Sequence, residues 1–317
     1  MWRWRSWIPC SRMWRAADKV WWRLVGSGNV AGRLVLTLLL IGALAAASAG
    51  SAADKITGTL VVRDALTTPG RPVMIQARLA QDRLLQQAGI GGEQLEFSVA
   101  GKRVGTTMTG GDGRAFLEYT PRMRGNQVIT ARLVPNKRVE SPEATATLAC
   151  WERRRPILLV EAAALVEAPS APSRPFPSLP LEITRPAGLS PAPDAAEELK
   201  RLAEFFYNVI YLSSSDRQGI GKGEDLREWL RQHRFPTGLA LTINQGEAAL
   251  SAKIEEMRAE GWDNLKAGIG RTREFAEALA AHRMAVVIIP ASSRDEEVPK
   301  KVFLAKDWKE VRKKLQG

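Results

Sequence analysis

What most constrains this chain is a change of hydrophobic period near residue 150. Before it, apolar residues alternate over short runs separated by Gly, Pro and Asp; after it, short apolar runs are separated by stretches with helical spacing. A period of two suits a strand with one buried face, whereas i, i+3, i+4 spacing suits a helix with one apolar stripe. Two architectures are therefore expected in one chain: a β-sandwich over 54–150 and a three-layer α/β domain with a parallel sheet over 151–317.

In the first part the candidate strands are 56–63, 73–80, 94–99, 103–109, 114–120, 127–134 and 144–150. The runs Leu95-Glu96-Phe97-Ser98-Val99 and Ala115-Phe116-Leu117-Glu118-Tyr119 alternate as half-buried strands do. Ala100-Gly101-Lys102 and Gly110-Gly111-Asp112-Gly113 supply the residues that tight turns need. In the second part strands are expected at 156–160, 208–212, 239–242, 264–269 and 285–289, and helices at 195–206, 223–233, 248–259, 271–282 and 307–315. The run 285–289 is wholly apolar, as in a parallel strand covered on both faces. Residues 168–193 are dense in proline and read as an extended insert within this domain.

Residues 1–53 read as a basic leader. Half of the net charge of +12 lies in the first 49 residues, and the uncharged run 34–47 is followed by Ala47-Ser48-Ala49. A cationic start, an apolar run and an A-x-A site form the tripartite secretory signal. Six tryptophans precede the run, residues that favour the membrane interface. Both a cleaved signal peptide and an uncleaved anchor, with membrane contact through 34–49, fit this pattern. The expected location is the periplasm or cell envelope, with the chain anchored in the cytoplasmic membrane if the leader is uncleaved. The remaining positive charge is interleaved with acidic groups, so no stripe exists to track a nucleic-acid backbone. Of the two cysteines, Cys10 lies in the leader, and Cys150 alone makes no intrachain disulfide. The expected role of Cys150 is that of a small buried residue at a strand end.

Two resemblances add to this reading. Gly91-Gly92-Glu93-Gln94-Leu95-Glu96-Phe97, Asp112-Gly113-Arg114-Ala115 and Tyr119-Thr120-Pro121 resemble bacterial Ig-like repeats of surface proteins, which implies spacing, presentation or adhesion rather than catalysis. The layout of 155–290 is similar to the haloacid dehalogenase superfamily, most closely its lipin-like phosphatidate phosphatase branch. The similarity is carried by Val209-Ile210-Tyr211-Leu212-Ser213-Ser214-Ser215, by Trp229 to Pro236, by Lys253 and by Ala267-Gly268-Ile269-Gly270. It implies a HAD-like fold, with Ser213 and Lys253 binding phosphate and a Gly-rich turn at Gly268 and Gly270.

That resemblance also implies an Asp nucleophile at the end of the first strand, an acid/base Asp two residues on, and acidic ligands for Mg²⁺ in the last motif. Here those positions hold Glu161 and Ala163, and the last motif offers Ile269, Thr272 and Arg273 with Glu274 beside them. Alanine moves no proton, and a glutamate is one methylene too long for an in-line displacement. The expectation is therefore a degenerate, non-catalytic site without metal or cofactor. What remains is an anion site at Ser213, Lys253, Gly268 and Gly270 or, equally, a Ser-rich turn cap and a solvated lysine. An unidentified protein or anionic ligand of the envelope is the expected partner. Two other readings stay open: a divergent Mg²⁺-dependent phosphohydrolase using Glu161, and an adhesion or scaffold protein with no ligand site. His233 and His282 fall at expected helix C-termini, where a cation is favoured, and make no zinc site.

Overall fold

The computed structural model describes residues 55–83, 86–167, 189–214, 223–244, 246–290 and 301–316. The leader and most of the Pro-rich insert lie outside the described residues. Among the described residues no helix is long and apolar enough to cross a membrane. Lys55–Gly317 forms one compact unit.

The first part of that unit is a β-sandwich. One sheet has the order β3-β11-β9-β6-β7, made of Ala65–Thr67, Ala144–Cys150, Gly125–Leu133, Gln94–Val99 and Lys102–Met108. The other is built on the long strand β4, Val73–Arg83, which pairs with β2, Thr59–Val62, with β8, Arg114–Tyr119, and with β5, Gln86–Gly89. A short parallel pair, β1 and β10, joins Ile56–Thr57 to Val139–Glu140. The alternation in β6 sends Leu95, Phe97 and Val99 inward, where they meet Ile75, Leu79 and Ala115 from the facing sheet. Each of the Leu, Phe, Val and Ile side chains among these, fully buried, contributes about 1.5–3 kcal/mol of transfer free energy. Gly113 sits at φ +77°, and a Cβ there would lie 2.1 Å from the Leu79 carbonyl oxygen, so this turn requires glycine.

The second part is a six-stranded, wholly parallel sheet in the order β14-β13-β12-β15-β16-β17. Its strands are Leu239–Ile243, Asn208–Ser214, Ile157–Glu161, Leu265–Gly270, Ala285–Ile288 and Val302–Leu304. Counted from β12, this is the order 3-2-1-4-5-6 of a doubly wound sheet, which reverses direction between β12 and β15. The central strand is apolar on both sides because both sides are covered. Leu158 and Val160 face α1 (Ala195–Phe205), α2 (Gly223–Gln232) and α5 (Trp308–Gln316). Ile157 and Leu159 face α3 (Glu247–Ala259) and α4 (Arg273–Ala281).

No flexible spacer separates the two parts. β11 ends at Cys150, and the next residue, Trp151, is buried in the α/β core with Ile157, Leu159 and Trp262. The Trp151 indole donates to Asn126 Oδ1 at 2.7 Å, while Asn126 Nδ2 donates to the Thr237 carbonyl at 2.6 Å. A carboxylate completes the joint. Asp64, between β2 and β3, accepts from Thr147 N at 2.8 Å in the sandwich, and from Arg227 at 2.9 Å and Ala240 N at 2.6 Å in the α/β part. Its side chain is 1% exposed.

Candidate functional site

In a doubly wound sheet, ligands gather outside the carboxyl ends of the strands, at the point where strand order reverses. Here that point lies between the ends of β12 and β15. β12 ends at Glu161, and a 3-10 turn, Ala162–Leu165, follows directly. β15 ends at Gly270, and Arg271 and Thr272 lead into α4.

Glu161 does not project freely from this edge. Its Oε2 accepts from Arg271 N at 2.7 Å and from Thr272 N at 3.0 Å, and its Oε1 accepts from Thr272 Oγ1 at 2.9 Å. The Thr272 hydroxyl in turn accepts from Phe275 N at 3.3 Å and caps α4. The start of a helix leaves backbone N–H groups without intrahelical partners and carries a partial positive charge, which makes it an anion site. In this protein the anion is supplied by the chain itself. Arg271 closes the arrangement by donating through its guanidinium to the Val166 carbonyl. Burial pulls that guanidinium below its ordinary value, while the charge of Glu161 opposes the shift.

Around this latch is a cleft of about 60 Å³ lined by Glu161, Ser213, Asn244, Gly246, Thr272 and Glu274. At ~30 Å³ per water it has room for about two waters. Ser213 is buried, and its hydroxyl lies 3.1 Å from Thr242 Oγ1.

The other residues expected at an anion site are elsewhere. Lys253 lies on α3, where its ammonium pairs with Glu256 at 2.9 Å, and it does not line the cleft. Gly268 and Gly270 belong to β15 rather than to a turn. A Cβ at Gly268 would stand 2.0 Å from Leu279 Cδ2, and one at Gly270 would stand 2.2 Å from Phe275 Cδ1. These glycines let α4 lie close against the sheet, a packing role. Of the expected set of Ser213, Lys253, Gly268 and Gly270, Ser213 lines the cleft and the other three do not, and the N–H groups of Arg271 and Thr272 after Gly270 donate to Glu161. A carboxylate in that position also repels an incoming anion.

Among the described residues the donor set does not fit a magnesium ion either. Ala163, partly buried in the 3-10 turn, brings no oxygen, and both Glu161 oxygens are engaged by N–H and O–H donors. Among the described residues no group of three or more His, Cys, Asp or Glu is placed to hold a metal ion. His233 lies against Trp229 with ring centroids 4.6 Å apart and planes tilted by 52°, and His282 caps α4 with its Nδ1 3.2 Å from an Arg258 nitrogen.

No family model matches the sequence, and neither does any curated protein. Several of the solved structures similar to this chain are small β domains. The CARDB domain of a Pyrococcus furiosus protein is 16% identical, spans 29% of this chain and 93% of its own, and superposes with a TM-score of 0.23. The fibronectin(III)-like modules of Clostridium thermocellum CbhA are 13% identical over 29% of this chain and 94% of theirs, with a TM-score of 0.21. The D0-D1 domain of intimin is 13% identical over 27% of this chain and 45% of its own, with a TM-score of 0.20. The sandwich assignment rests on the two facing sheets and the core between them.

Proposed function

We propose that this is an exported envelope protein that binds a partner or ligand without catalysis, built from an Ig-like sandwich and a degenerate haloacid dehalogenase-like domain. The single observation that carries the reading is the engagement of Glu161. A nucleophile must present an unencumbered lone pair to its substrate in near-attack geometry. Three donors from the start of α4 hold both oxygens of this carboxylate. Its neighbour at the acid/base position, Ala163, cannot protonate a leaving group. The strand order and the position of Glu161 at the end of the first strand are what a phosphatase-like ancestry requires. The export assignment rests on the leader sequence alone.

The test pairs an activity with a stability. The full-length protein and Glu161→Ala are assayed with Mg²⁺ on phosphatidate and on a soluble aryl phosphate, and both are melted. Equal, background turnover with a lower melting temperature in the variant is the expected result. Turnover that is abolished by the substitution while the melting temperature holds would mean that Glu161 is a working nucleophile and the reading is wrong.

A further inference from the structure

A second cleft, of about 260 Å³, opens where the sandwich meets the α/β part. One wall is the turn from β3 into β4 and carries Leu66, Arg71, Pro72 and Met74; the other is the corner after α3 and carries Glu260 and Trp262. Interfaces between domains are preferred places for small-molecule sites. Both walls are fixed before any ligand arrives. Thr67 Oγ1 donates to the Arg71 carbonyl at 3.1 Å, Gly70 N to Pro121 O at 2.8 Å, and Trp151 N to Thr67 O at 2.9 Å. Across the cleft, Arg153 donates to the Glu260 carbonyl at 2.9 Å and sets its guanidinium 5.7 Å from the Trp262 ring centroid. The Asp64 joint ties the walls to each other.

The charges of this cleft are what single it out. The Arg71 guanidinium and the Glu260 carboxylate sit on opposite walls, and neither forms an ion pair or side-chain hydrogen bond with another described residue. An anion alone would gain Arg71 and be repelled by Glu260; a cation alone would meet the reverse. A ligand with both signs satisfies both, and the apolar groups between them suit a short uncharged middle. At ~30 Å³ per water the volume equals about nine waters, the size of two small amino-acid residues.

We propose that this cleft binds a zwitterionic dipeptide, its carboxylate on Arg71, its ammonium on Glu260 and its side chains over the exposed Pro72 and Met74. Guanidinium suits a carboxylate through paired parallel hydrogen bonds, and the preformed walls limit the ordering cost. The proposal is independent of whether the Glu161 cleft is catalytic.

The test is calorimetric titration of the full-length protein with alanylalanine, N-acetyl-alanylalanine and alanylalanine amide, repeated on Arg71→Gln and Glu260→Gln. The free dipeptide is expected to bind, and each blocked form to bind about fivefold more weakly, the scale of one exposed charge pair. Arg71→Gln should erase the difference made by amidation alone, and Glu260→Gln the difference made by acetylation alone. Both side chains are exposed, so unchanged melting temperatures will show that the variants fold. Absence of binding up to about 10 mM of the free dipeptide, discrimination that survives both substitutions, or equal binding of inorganic phosphate would each overturn the proposal, the concentration being that of a weak complex of about 3 kcal/mol.

Discussion

Replacing Asp64 tests whether the two halves of the chain are welded or merely adjacent. Its carboxylate serves three donors from three elements: Thr147 N of β11, the Arg227 guanidinium of α2 and Ala240 N of β14. Asp64→Ala strands two buried N–H groups, each worth about 1–3 kcal/mol when unsatisfied. Arg227 keeps a longer contact to the Val62 carbonyl at 3.4 Å, so its loss is partial. The sum falls at about 3–5 kcal/mol, the range for breaking a buried pair from one side. Asp64→Asn keeps the shape but turns an N–H₂ toward at least one of those donors, which costs about 2 kcal/mol. Urea unfolding followed by far-UV circular dichroism and by tryptophan fluorescence measures both. In the wild-type protein the two probes should report one transition for the joined parts, and in Asp64→Ala they should separate. The pH dependence is worked from the same group. Burial pushes the Asp64 carboxyl above its ordinary value, and Arg227 with the two backbone N–H groups only partly offsets this. A raised folded-state pKa means the folded protein holds the proton more tightly, so the cost of the buried charge is present above that pKa and relieved below it. The difference between wild type and Asp64→Asn should therefore not shrink as the pH falls from 7 toward 4. A change under about 1 kcal/mol in Asp64→Ala, a small fraction of the buried-pair range, would refute the joint.

Three further outcomes can be checked with standard measurements. Glu161→Ala should cost about 1–2 kcal/mol, as the loss of a helix cap does, and Glu161→Gln about half of that, read from thermal melts. Gly268→Ala forces a methyl to within 2.0 Å of Leu279 Cδ2 and should destabilise by about 1–3 kcal/mol, read from urea midpoints. The buried Cys150 thiol is pushed up by desolvation, so iodoacetamide should label it slowly in the native protein and completely in urea; rapid native labelling would place it at the surface.

How much of this was legible in the sequence depended on how local the cause was. Strands such as Gln94–Val99 and Ala144–Cys150 carry their alternation and turn residues within themselves, and the sequence reading places them to the residue. The short pieces Ala65–Thr67, Gln86–Gly89 and Val302–Leu304 give too few residues for a period, and exist because a neighbouring strand offers a ladder. The position of Glu161 at the end of the central strand was readable from the apolar run Ile157–Glu161 and its successor. Its engagement was not, since Arg271 and Thr272 lie 110 and 111 residues further on. Gly268 and Gly270 illustrate an ambiguity of type: the same residue serves a phosphate turn and a close helix contact, and only the facing Leu279 and Phe275 decide between them. Asp64, Arg71 and Glu260 carried no local signal, being ordinary charged residues in or beside turns.

The joint at Asp64 also orders events in time. Its carboxylate is synthesised 163 residues before Arg227 and 176 before Ala240. A growing chain that has completed the sandwich therefore holds a hydrated acid in wait, and that acid is desolvated only when the later half closes over it. Assembly of the whole is thus registered at a single side chain, and a truncated product lacking its C-terminal portion would display that acid, together with the uncovered ring of Trp151, to whatever surveys unfinished proteins.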